Sequence, residues 1–420
     1  GTSVTPLTVQ QRSGKFLNAR SAYDIYLQGV QGNYKDHTYD GSLSLGFLYT
    51  PGSVSLKADS VITDAGNDQR ENIAAASLQM EGTALGQKEN YLDLDLTVPG
   101  TGLAGNLHAL TSTGDIYLAE VNGNMYLGMI RALKGDVFLK ADGSIYGGTS
   151  EQGAKIEAKN INLTAVNGTI GQAEEYLLLD TQNSGTLSAS AKLDLFIQEG
   201  TGDLALHTVS STMGTVFLVS PQSIINGKPT GANIISEKAR LLSAESIGTN
   251  EHYLRTQVDY LEAQVQNGDI WLYNEKNLII GNVSELVGLS AGDSVNLQIS
   301  GSLEVQENIT AAREIVLTTV DSAAAGENIL IPAGITIWSK NAAVGLRAAD
   351  NLLLEAGSLL KANKQVSLSV DYAADNLDPS VGGSLELCGE IQAPLLTICG
   401  GEDNDIILIQ TESSLPHTDI

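Results

Sequence analysis

The chain has 420 residues and carries 23 Lys and Arg against 49 Asp and Glu, a formal charge of −26. A surface that negative repels phosphate backbones and anionic lipid, which argues against nucleic-acid binding and membrane-surface binding. Hydrophobic residues make up 42%, enough for a packed core and too many for a disordered acidic tail. No apolar run approaches the roughly 18 residues that a membrane helix needs, so no membrane insertion is expected. The opening GTSVTPLTVQ lacks a basic and then an apolar region, so no signal peptide is read, and the chain is expected to be a processed form or a fragment of something larger. Its 44 glycines with only 9 prolines suggest many tight corners rather than a flexible linker.

In chain order, residues 1–50 read as entry or capping rungs. YDIYL at 23–27 is a short strand, and 28–50 interrupts the pattern as an insertion. Residues 51–290 hold a long repeat, reported by two independent markers. LGQKENYLDLD (85–95), IGQAEEYLLLD (170–180) and IGTNEHYLRTQ (247–257) align without gaps on Gly86, Gly171 and Gly248 and on Tyr91, Tyr176 and Tyr253. GSVSLKADSVI (52–62), GDVFLKADGSI (135–145) and GTVFLVSPQSI (214–224) recur at spacings of 83 and 79 residues, against 85 and 77 for the first marker. Both therefore report a repeat near 80 residues, and repeats of this kind mark solenoids.

A third marker, GDIYL at 114–118, GDLAL at 202–206 and GDIWL at 268–272, is a turn pair followed by alternating apolar residues, the pattern of a short strand with one face on a core. Similar strands are expected at 54–56, 137–139, 161–163, 216–218, 295–297 and 315–317. The stretch 251–267 spaces Leu254, Val258, Leu261 and Val265 as a helix would, but its counterparts in the other repeats do not, so it is read as β. From 291 to 420 a shorter rung is legible, in which a strand ends at Gly301, Gly334, Gly357 or Gly389 and two more short strands follow.

Three strands in about 20 residues describe one coil of a parallel β-helix, stable only when neighbouring coils stack on it. The 80-residue repeat is then about four coils, and about 20 coils stacked at ~4.8 Å make a rod on the order of 100 Å. The rival fold is an antiparallel sandwich or barrel. Hairpin signals for it are few, since Asn122-Gly123, Asn167-Gly168 and Asn226-Gly227 all fall inside the repeat.

The order NGTIG, then GDIYL or GDIWL, then GDVFLKADGSI resembles the repeat region of filamentous-haemagglutinin-like large exoproteins, best over 109–145 and 245–283 and well over 50–300. The resemblance implies an all-β, right-handed parallel β-helix, secretion to the bacterial cell surface, and a role in adhesion or as a stalk. The secretion domain such exoproteins carry at their amino terminus is not recognisable in this sequence. Partners would be a glycan or protein of a host or neighbouring cell, with no enzyme activity and no cofactor.

Candidate chemistry is sparse. The best enzyme alternative is a polysaccharide lyase, hydrolase or epimerase on a β-helix. For it, Asp93 and Asp95 in YLDLDL lie two apart on one strand face and could act as a carboxylate pair. The plain alternative is a solvated face opposite Leu92, Leu94 and Leu96. The five histidines (His37, His108, His207, His252 and His417) form no metal-ligand spacing. GGEDNDIIL (400–408) resembles a calcium-binding nonapeptide, with Asp403 and Asp405 as candidate ligands. A lone copy supplies at most half a site, and the alternative is a corner before a strand at 406–409. Cys388 and Cys399 are two unpaired thiols or a single bridge. The insertions 28–50, 64–84 and 371–382 are where ligand contact is expected, because irregular loops on a rigid scaffold tend to carry recognition.

Overall fold

The structure, a computed structural model, describes residues 2, 5–97, 106–147, 153–182, 184–285, 288–322, 326–372, 382–401, 403–410 and 417–419. Among them the chain is all-β with no helix, wound into parallel stacked coils. Each coil takes about 23 residues and there are about 16 among the described residues, against the shorter and more numerous coils expected. The extra length lies in corner loops that the strand pattern alone does not count.

The chain divides into two compact units, residues 1–201 with 209–213, and residues 202–208 with 214–420. In the first unit one sheet runs through Ile25–Gly29, Ser53–Ala58, Ser77–Gly82, Asn106–Thr111 and Met125–Ala132, all parallel. The other runs through Ile116–Glu120, Val137–Ala141, Ile161–Ala165 and Leu187–Ala191. Alternation along each strand sends every second residue inward. In-register pairing then stacks like on like: Ile25, Val54, Leu78, Leu107 and Leu127 form one buried column, and Ile116, Val137, Ile161 and Leu187 form another. A methyl-sized change in such a column is felt by both neighbouring coils, because packed interiors relax only in part.

The second unit follows the same rule through Ile270, Val295, Ile315, Val344, Val366 and Leu396. One coil already has a third strand at Ile224–Asn226 and Ile234–Ile235, and from Leu278–Ile280 onward the third strand is regular, slightly earlier than the expected 291. Pairs such as Leu303–Val305 with Ile309–Ala311, and Leu352–Leu354 with Leu359–Ala362, lie in one sheet, with a strand of the other sheet completing the coil. Gly334 and Gly357 turn these corners at φ 83° and 90°. The stretch 251–267 is β, as Leu254–Gln257 and Tyr260–Val265.

One expectation needs correction. Within the first unit the tyrosine marker moves from the second sheet (Ala84–Leu85, Leu92–Asp95) to the first (Leu177–Thr181), and the second marker moves from the first sheet (Ser53–Ala58) to the second (Val137–Ala141). Between the two tyrosine copies the chain changes sheet seven times. The long repeat there is three and a half coils rather than four, so each copy faces the opposite side from the last.

Candidate functional site

The repeated residues have a common task, which is to hold one coil to the next. In each tyrosine marker the glycine takes φ near 70° (Gly86 68°, Gly171 71°, Gly248 67°), a region that L side chains rarely enter. A four-residue loop follows, closed by reciprocal backbone bonds, as between Gln172 and Glu175 at 3.1 Å. The tyrosine then lands edge-on against an aromatic ring of the following coil: Tyr91 on Tyr117 at 5.5 Å, Tyr176 on Phe196 at 5.5 Å and Tyr253 on Trp271 at 5.6 Å between ring centres. A Cβ on Gly171 would clash with the Phe196 carbonyl oxygen, so the glycine is required by contact as well as by φ.

The aspartate of the GD marker starts a ladder along one corner. The Asp115 carboxylate accepts the Asp136 N–H at 2.9 Å, Asp136 accepts that of Asn160 at 3.1 Å, and Asn160 accepts that of Thr186 at 3.0 Å. In the second unit Asp203 and Asp269 accept from Ser223 and Ser294 in the same way. A second ladder there runs from Asn277 through Ser302, Asn328 and Asn351 to Ser384. These side chains satisfy N–H groups that a corner removes from the strand ladder.

Of the expected site residues, Asp93 is the one in an unusual setting. It is only 8% exposed, not on an open solvated face, and Asn67 and Gln69 of the excursion at 65–72 wall the cleft beside it. That excursion is anchored by Asn72, whose side chain donates to Asp64 at 2.6 Å and accepts the Asp93 N–H at 2.9 Å. Asn67 and Gln69 within it adopt left-handed φ of 53° and 61°. In the stack, Asp93 lies beside Ala119 of the next coil and Lys140 of the one after, so the small Ala119 leaves a hollow between acid and lysine. This hollow is the floor of a cleft of about 540 Å³, walled by Asn67, Gln69, Glu89, Tyr91, Asp142 and Val166.

The Asp93 carboxyl is pushed up to about 6, first by burial and then by the charges of Asp64 and Asp68, with Lys140 opposing. Among the described residues no hydrogen bond or ion pair to its carboxylate is present, although its backbone is bonded on both sides. Asp95 does not join it. Its carboxylate closes a local turn with Thr97 at 2.6 Å and accepts from Asn122 at 3.2 Å, and it is not part of the cleft wall.

Glu120, which the sequence reading did not single out, turns inward after Ile116 and Leu118 and is 1% exposed. Its carboxylate accepts the N–H groups of Leu96 and Asn122, and burial raises it to about 8. Glu199 repeats the pattern after Leu195 and Ile197, raised to about 7 by burial. The signal for both was available, since an acid at the fifth position of IYLAE and LFIQE falls on the inward face. Lys140 and Asp142 were missed because their part in the cleft depends on coil stacking.

Elsewhere the expected residues stay apart. Asp405 accepts the N–H groups of Gly383 and Gly401, each at 2.8 Å, at the corner before the strand Ile406–Ile409, and the Asp403 N–H donates to Asp371. Among the described residues no group of three acids, histidines or cysteines is placed to hold a metal ion. Cys388 and Cys399 are free, the first after a strand of one sheet and the second ending a strand of the other. The insertion at 28–50 contains an antiparallel hairpin, Gln31–Tyr34 with His37–Asp40. Residues 75–84 return to the two sheets, and 373–381 lie outside the described residues. Compared with protein-family models, with curated proteins and with solved structures, the chain matches none.

Proposed function

We propose that this chain is a non-enzymatic, extracellular segment of a large bacterial surface exoprotein, serving as a rigid scaffold and an adhesive surface. One observation supports the reading above the rest: the residues that recur, glycine and tyrosine at the corners and aspartate in the ladders, all work to lock coil to coil. A sequence that spends its repeats on stacking is selected for stiffness. Its partners would be glycans or proteins of a host or neighbouring cell, met by the hairpin at 31–40 and by the cleft beside Asp93. Beads coated with the chain should attach to cells, and free chain in solution should compete. Attachment no better than that of albumin-coated beads removes the adhesive part of the proposal.

A polysaccharide-active enzyme is the second reading, favoured by one feature. Asp93 and Asp142 share a cleft with Lys140, so two carboxylates and a lysine meet in one hollow. Release of reducing or unsaturated sugar ends from a panel of polysaccharides, lost in Asp93→Asn, would establish it in place of the first.

A further inference from the structure

Among the described residues, three places carry chemistry that stacking does not explain. The outer groove of the second unit, lined by Leu278, Ile279, Leu330 and Leu353, is apolar, and nothing in the structure shows what covers it. The buried acids Glu327, Asp350 and Asp371 follow one another along a corner, but the Asp350 carboxylate is taken by the Glu327 N–H and that of Asp371 faces the Asp403 N–H. The cleft beside Asp93 differs from both, because its central acid lines an open hollow and, among the described residues, no hydrogen bond or ion pair reaches its carboxylate.

The Asp93 carboxylate opens onto the cleft with no protein cation bonded to it, so a bound cation would find a free acceptor in a partly desolvated site. The wall adds the acids Glu89 and Asp142, and Asp64 and Asp68 act on Asp93 from the excursion, so one Lys140 faces five carboxylates. That imbalance favours a positively charged ligand. A metal ion fits poorly, since no three ligating side chains converge there among the described residues. The Glu120 carboxylate is committed to two backbone N–H groups. An organic ammonium fits better, because it needs one close carboxylate and brings its own skeleton to fill the hollow.

The remaining wall suggests what that skeleton is. Asn67, Gln69 and Asn90 offer amide donors and acceptors, as hydroxyl groups require, while Tyr91, Ala119 and Val166 give an apolar surface against which a sugar ring can lie. The volume of about 540 Å³ is in the range of small-ligand sites. We infer that the cleft at Asp93 binds an amino sugar with a free amine, its ammonium on the Asp93 carboxylate and its hydroxyls on the amides of the excursion. The inference deepens the adhesive reading by naming a ligand class for one surface, but the binding can be measured without it.

Three disaccharides with one β-1,4 skeleton separate the possibilities: the glucosamine dimer, the N-acetylglucosamine dimer and cellobiose, which differ only in carrying ammonium, acetamide or hydroxyl. Titrated calorimetrically against the whole chain at pH 7.5, the glucosamine dimer should bind at least tenfold more tightly than either of the others. Asp93→Asn should lose at least tenfold for that ligand alone while keeping its circular-dichroism spectrum and melting temperature. Lys140→Met, which removes an opposing charge, should bind it at least twofold more tightly.

Affinity should also fall as the pH drops from 7.5 to 5, as Asp93 takes up a proton among Asp64, Asp68, Glu89, Tyr91, Glu120, Lys140 and Asp142. Equal binding of the three sugars, an unaffected Asp93→Asn, or calcium binding that depends on Asp93 and excludes the sugar would each overturn the inference. Attachment of coated beads that survives Asp93→Asn would leave the adhesive reading standing while this site falls.

Discussion

The coils around the tyrosine corners of the first unit and the three-stranded coils from Leu278 onward bury the same kind of apolar interior, yet they join coil to coil by different means. The former use a glycine at positive φ, a closed four-residue loop and an aromatic pair that spans two coils. The latter use a ladder of asparagine and serine, with each side chain accepting the N–H one coil along. An aromatic corner contributes buried area and shape, so a single change there removes much at once. A ladder distributes small contributions over many exposed bonds, and losing one rung leaves the rest in place. The first arrangement recurs only every three and a half coils in the first unit, alongside the Asp115 ladder, whereas from Leu278 onward the ladder recurs at every coil.

The largest break in this comparison is expected at Gly171. Gly171→Ala forces a side chain into left-handed backbone and against the Phe196 carbonyl, and should cost more than about 3 kcal/mol in denaturant unfolding. Gly345→Ala, in a strand of the second unit with nothing nearer than 4.0 Å to the added carbon, should move stability by less than about 0.5 kcal/mol. Comparable losses at both would mean that the corner is not special. Next, Tyr176→Ala should cost about 2–3 kcal/mol through lost burial and the lost ring contact, whereas Asn328→Ala in the ladder should cost about 1 kcal/mol. A ladder variant that unfolds more readily than the aromatic one reverses the argument.

The smallest effect concerns pH. Inward acids end strands of the first unit at Glu120 and Glu199, whereas Asn274 does the same work in the second, accepting from Val258 N–H at 3.0 Å and Thr256 Oγ1 at 2.8 Å. Both acids hold their protons more tightly folded than unfolded, at about 8 and about 7 against 4.5. Their contribution is therefore greatest below about pH 4.5 and is lost as pH rises through 7 to 8, the reverse of an ion-paired acid. The melting temperature should fall between pH 5 and 8.5, and Glu120→Gln should flatten that fall by about 1 kcal/mol or more. An unchanged slope in the variant would assign the pH dependence to the general self-repulsion of a chain carrying −26.

Much of the fold is legible in the residues because a solenoid is local: each coil repeats the alternation of the last, so periodicity alone yields strands at Ile116–Glu120, Val137–Ala141 and Ile270–Asn274. Stretch 251–267 shows how neighbours decide, since its helical spacing lost to pairing with the strands on either side. The cleft was only half legible. Asp93 and Asp95 both stand out through their place in YLDLDL, but only Asp93 lines the cleft, since the Asp95 carboxylate is held by Thr97 and Asn122.

The sequence by itself determined that the chain is β, repetitive and acidic, and which residues recur, because short strands and tight corners are dictated by neighbours a few positions away. Only the tertiary structure decided that the long repeat in the first unit advances by three and a half coils, which glycines press on a carbonyl of the following coil, and that Asp93, Ala119 and Lys140 meet in one hollow. Those facts depend on how many residues each coil consumes, and that length is set by corner loops whose side chains act on the coil next door.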